Sequence, residues 1–149
     1  MNEQVSHLKP IEADLDTIEA VTEAIGSLHM VRESRPPIKV TLEKGIVTLE
    51  GVVLSHIMHR AVLVKTATAR GVQKVVDRLY EDPLLEVAVA NALAVEPMLK
   101  QHQPSISVTS YLGVVTLSGA TLGEAERAKA KEVAAHVPGV SDVILRLGT

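Results

Sequence analysis

The chain contains no cysteine, which removes disulfides, thiolate zinc sites and cysteine nucleophiles together. Phenylalanine and tryptophan are absent too, leaving two tyrosines, Tyr80 and Tyr111, as the whole aromatic inventory. Platforms that stack bases or sugars, and aromatic cages that hold cations, cannot be assembled from so few rings. The core is therefore aliphatic. No block of like charge exists either: Lys and Arg are scattered through a chain of net charge −3. Without a basic stripe to neutralise phosphates, nucleic acid and anionic membrane are both disfavoured as electrostatic partners, and no nucleic-acid partner is expected. Nothing approaches the ~20 apolar residues of a membrane span, and the first ten residues hold no signal-peptide run. The expected location is cytoplasmic, with the periplasm as the alternative if a leader has been removed.

What is present is a repeat. Residues 14–81 align with residues 82–149 without a gap. Asp14/Asp82, Val21/Val89, Ile38/Ile106, Val40/Val108, Val47/Val115, Leu49/Leu117, Val75/Val143 and Leu79/Leu147 are identical pairs, as are six glycines, Gly45/Gly113, Gly51/Gly119 and Gly71/Gly139. The chain therefore reads as an N-terminal segment, 1–13, followed by two copies of one domain, 14–81 and 82–149.

Each copy carries the same signals. Asp14 and Asp82 stand where an N-cap is expected, with Pro83 at a first helical position. Ile18, Val21, Ile25 and Leu28, or Leu85, Val89 and Leu93, then recur at helical spacing. Pro36-Pro37, and Pro97 or Pro104, end that helix. A hairpin follows, Ile38 to Gly51 or Ile106 to Gly119, turning at Gly45 or Gly113. A second helix begins near Ser55 or Gly123, where Thr121 and Glu124 predict a capping box. It stops before the C-cap glycines Gly71 and Gly139, and a last strand closes the unit. The predicted fold is α+β: two tandem αββαβ units, each a three-stranded mixed sheet with two helices packed on one face. Lys65 and Thr66 stand where the second copy has Val133 and Ala134, which predicts a rotated or less buried helix in the first.

The pattern Ile-x-Val-x-x-x-x-Gly-x-Val-x-Leu-x-Gly, then a helix, then Gly-Val-x-x-Val, resembles the BON domain of OsmY- and nodulation-type proteins. It occurs as Ile38, Val40, Gly45, Val47, Leu49, Gly51, Gly71, Val72 and Val75, and again as Ile106, Val108, Gly113, Val115, Leu117, Gly119, Gly139, Val140 and Val143. The resemblance implies a tandem two-BON protein: a bacterial, non-catalytic module. Similar proteins interact with phospholipid or serve the envelope stress response, and one cytosolic relative binds potassium. The motif is core aliphatics and turn glycines, so it specifies a scaffold and leaves the ligand open.

No catalytic constellation is present, and no cofactor motif: there is no phosphate loop, no nucleophile elbow and no Ser/His/Asp signature. His56 and His59 have the spacing of two metal-facing imidazoles, but their repeat equivalents are Glu124 and Arg127, so both are expected to face solvent and no metal is expected. The hairpin tips differ. Glu43-Lys44-Gly45 is a polar turn, whereas Tyr111 and Leu112 place apolar groups at an expected contact surface. Val5, Leu8 and Ile11 in the N-terminal segment lie at helical spacing, fitting either a docked helix or a frayed tail. The expected function is recognition of phospholipid, a protein partner or an ion such as potassium, without chemistry. The alternative is self-association through open sheet edges.

Overall fold

A computed structural model of the protein describes residues 2–101 and 105–148, with side chains from residue 13 onward. The chain divides into two compact units, Met1–Leu79 and Tyr80–Thr149. In order, the elements are α1 (Asn2–Gly26), α2 (His29–Ser34), β1 (Ile38–Glu43), β2 (Ile46–Val53), α3 (His56–Ala67), β3 (Lys74–Glu81), α4 (Asp82–Val95), β4 (Ser107–Tyr111), β5 (Val114–Thr121), α5 (Glu124–Ala135) and β6 (Asp142–Gly148). The sheets are three-stranded and mixed, with orders β1-β2-β3 and β4-β5-β6. In the second, β4 runs antiparallel to β5 and β6 parallel to it, as a helical crossover through α5 requires. This is the αββαβ arrangement read from the repeat.

The cores are aliphatic and built alike. Val21, Ile25, Val47, Leu49, Val53, Met58 and Val62 form the first. Val89, Leu93, Val115, Leu117, Ala130, Ala134 and Val143 form the second. Alternation does the sorting: Val47 and Leu49 in β2, and Val115 and Leu117 in β5, are buried, while the residues between them face the other way. Each fully buried Val or Leu contributes about 1.5–3 kcal/mol, enough for a small unit to fold without large rings.

Gly51 is fixed by its surroundings. Its φ of 138° lies outside the range of L side chains, and a Cβ there would overlap the Pro37 carbonyl oxygen. Gly119, at φ 92°, sits where β5 shifts register against β6 between Ser118 and Thr121.

Four sequence expectations need correction. Asp14 is not an N-cap, because α1 begins at Asn2 and passes through it; aspartate in a helix interior is only mildly unfavourable, and continued helix formation overrides that. Between Gly26 and Pro36 the chain makes α2, a single short helix ended by Arg35 in the left-handed region at φ 50°. No capping box forms at α5, whose N-cap is Gly123 with no side-chain bond; α3, by contrast, is capped by Ser55, whose hydroxyl accepts from the Met58 amide at 3.1 Å. Thr66 is not turned outward. It is fully buried, and its hydroxyl donates to the Val62 carbonyl at 2.8 Å, so the polar atom is satisfied inside its own helix. Pro104 lies outside the described residues.

Candidate functional site

Each hairpin turns through two residues at positive φ, Lys44 (52°) and Gly45 (79°) in the first unit, Leu112 (48°) and Gly113 (87°) in the second. That pair of signs belongs to the tight turn matching strand twist. The tip carbonyls are used identically: Gly45 accepts from the Gln73 amide at 2.9 Å, and Gly113 from the Ser141 amide at 2.9 Å. The final strand is thereby started beside each tip.

Leucine is a poor choice for a left-handed position, where a Cβ costs roughly 1–2 kcal/mol. A carboxylate compensates in the second unit. Asp82, the first residue of α4, is buried, with 3% of its surface exposed. Its Oδ2 accepts from the Leu112 amide at 2.7 Å, and its Oδ1 accepts from the Gly113 amide at 3.0 Å and the Ser110 hydroxyl at 2.7 Å. One turn along the helix, Glu86 Oε2 accepts from the Ser110 amide at 2.8 Å. Asp82 thus leaves the N-cap position to Glu81 and latches the hairpin instead. Its charge also sits at the favourable end of the helix dipole.

The latch presents Tyr111, which is 61% exposed, while Leu112 is half-buried and is spent on the turn. Register extends the surface beyond the tip. Tyr111 lies across from Val114, and Thr109 from Thr116; on the other side of β5, Val114 lies beside Asp142 and Thr116 beside Ile144. Ser107, Ser118 and Arg146 complete the rows. This outer face carries charge only along β6. The first unit has Lys39, Glu43, Glu50, Lys74 and Arg78 at the matching positions, with Arg78 and Glu50 paired at 3.6 Å on the surface. Two copies of one scaffold therefore carry a charged face in the first unit and a nearly neutral one, with an exposed tyrosine and Ile144 (41% exposed), in the second.

The histidines divide. His56 is exposed as expected, but the His59 side chain is only 14% exposed, and its Nε2 lies 2.8 and 3.0 Å from the carboxylate oxygens of Asp77. The two imidazoles meet edge to face with centroids 6.4 Å apart. Within the first unit, His59 and Asp77 thus form a hydrogen-bonded pair that ties α3 to β3. Asp77 escaped the sequence reading because it is distant along the chain and its repeat partner is Leu145. The cleft between α1 and β1, lined by Ile18, Thr22, Ile25, Val31 and Val40, contains no titratable side chain. Among the described residues, no helix is long and apolar enough to cross a membrane.

No curated protein matches the chain. Among solved structures, it is similar to CdsD of Chlamydia trachomatis, described as a structural protein of the type III secretion system: 22% identity and a TM-score of 0.65, over 89% of this chain and 60% of that one. A second structure, of the C-terminal domain of CdsD, gives 23% identity and a TM-score of 0.61 over 84% and 62%. The chain thus spans about three-fifths of the length of these relatives, and at such identity the likeness is one of fold. The family model of the BON domain matches residues 13–80 and again 81–147. The chain belongs to the BON domain family, with two copies in tandem.

Proposed function

We propose that this protein is a non-enzymatic interaction module whose second unit docks a protein partner on the outer face of its sheet, with the first unit as the solvated copy of the same scaffold. The observation that supports this most is the divergence of matched positions: Glu43, Lys39 and Glu50 in the first unit are Tyr111, Ser107 and Ser118 in the second. A face that carries no charge on β4 or β5 and exposes one Tyr suits protein contact, since interface cores are depleted in charged residues and enriched in tyrosine. The structural relatives, named as secretion-system structural proteins, are in keeping with an assembly role.

A photo-crosslinking residue at Thr116, at the centre of the face, is expected to capture one protein in the native host. The same residue at Thr48, its counterpart, is expected to capture none. Equal capture at both positions, or crosslinks to lipid alone, would overturn the proposal.

A further inference from the structure

Helix α4 is apolar on two opposite sides. Leu85, Val89 and Leu93 are buried in the core of the second unit. The other side exposes Leu84 (63%), Val87 (56%) and Val95 (73%), with Ala88 and Asn91 between them. These five positions fall within about a third of the helix circumference at 3.6 residues per turn. Helices apolar all round are ordinarily covered on all sides. At the same positions α1 has Asp16, Glu19, Ala20 and Glu23, with Ser27 just past its end, a solvated surface. Shared ancestry of the two copies makes this a second local divergence, separate from the sheet face.

We infer that the outer stripe of α4 binds the α4 stripe of a second copy of this chain, antiparallel, about a twofold axis through Asn91. Three observations select that occupant. The stripe reads alike in both directions from Asn91: Ala88 is matched by Ala94, Val87 by Val95 and Leu84 by Met98, itself 45% exposed just past the helix end. About such an axis residue i meets j and j meets i, so Val87 would face Val95, Leu84 would face Met98 and Ala88 would face Ala94, apolar against apolar along the whole seam. Asn91, the polar residue at the centre, would face its own copy, and an amide both donates and accepts, so the pair satisfies itself and fixes the register. The stripe also carries no charge, so two copies do not repel. Its few neighbours that do carry charge, Glu86 and Glu96, are acidic, and α4 contains no Lys or Arg. Apolar helices that lie on lipid usually have a basic rim, which argues for a protein surface over an anionic membrane. A seam of this length is smaller than the ~1,200 Å² of the smallest stable interfaces, so the dimer is concentration-dependent.

The absence of cysteine makes the test direct. Asn91→Cys under mild oxidant is expected to give a covalent dimer, because the two thiols meet on the axis, whereas Glu23→Cys, at the matching position of α1, stays monomeric. Independently, light scattering of the unmodified chain across a concentration series is expected to show the mass rising toward twice that of the monomer. Val87→Glu is expected to abolish that rise while leaving the circular dichroism spectrum unchanged. A strict monomer at the highest concentration, with no preferential crosslinking at Asn91→Cys, overturns the inference. So does a Val87→Glu protein that folds and still dimerises, or a monomer that instead floats with phosphatidylglycerol vesicles through this stripe. None of these results depends on the sheet face, so failure here leaves the crosslinking test at Thr116 intact.

Discussion

The Asp82 latch carries a definite energetic expectation. Replacing Asp82 with Ala removes the acceptor for two backbone amides and one hydroxyl at once. The Gly113 amide bond is buried, so losing its partner costs about 1–3 kcal/mol, the desolvation penalty of an orphaned donor. The Leu112 amide is nearer the surface, where water replaces the carboxylate in part, and the Ser110 hydroxyl rotates to a new partner. Loss of the charge at the start of α4 adds about 0.5 kcal/mol. Together, roughly 3 kcal/mol of destabilisation of the second unit is expected, against a typical domain stability of about 5–15 kcal/mol. For a unit of this size that corresponds to a fall in melting temperature of roughly 12–24 °C. Asp82→Asn keeps one acceptor oxygen and the side-chain shape but sets an NH2 group against a donor, so about half the loss is expected. Asp14→Ala is the control: at the matching position inside α1, exchange for a better helix former should change stability by less than about 0.5 kcal/mol. Urea unfolding followed by circular dichroism reads all three, with the midpoint moving and the slope constant. An Asp82→Ala midpoint matching that of Asp14→Ala would refute the reasoning, because the short distances would then carry no net energy.

Gly51→Ala places a Cβ against the Pro37 carbonyl at a φ alanine avoids; we expect a loss of about 3 kcal/mol, read as a lower urea midpoint. Ser55→Ala deletes the N-terminal side-chain cap of α3 and should cost about 1 kcal/mol, while Gly123→Ser at the start of α5 should gain a few tenths; differential melting compares the two. Leu93→Ala, at a site 1% exposed, should cost about 2–5 kcal/mol by denaturant titration, and its exposed neighbour Val95→Ala, measured at low protein concentration, should cost less than about 0.5 kcal/mol.

The sheets and cores were legible because they rest on periodicity, and the repeat supplied two readings of one pattern: Val47 and Leu49 could be checked against Val115 and Leu117. What was missed depends on partners far apart in sequence or on weak local preferences. Asp82 looked like a cap because aspartate before a helix ordinarily is one; its actual partners, Leu112 and Gly113, are set by the fold. The His59–Asp77 contact joins a helix to a strand and has no repeat counterpart to announce it. Thr66 was misjudged because a hydroxyl read as exposure, whereas within a helix it bonds the preceding turn and can be buried. The α4 stripe was available in the sequence. Comparing the copies for difference, Asp16 against Leu84 and Glu19 against Val87, reveals it, whereas comparing them for identity conceals it.

Because the hairpin of the second unit is anchored through main-chain amides by Asp82, the side chains at its tip are released from holding the turn. A leucine tolerated at positive φ shows how far that release goes. Position 111 in particular becomes a place where evolution, or an experimenter, can exchange one recognition group for another without renegotiating the scaffold beneath it.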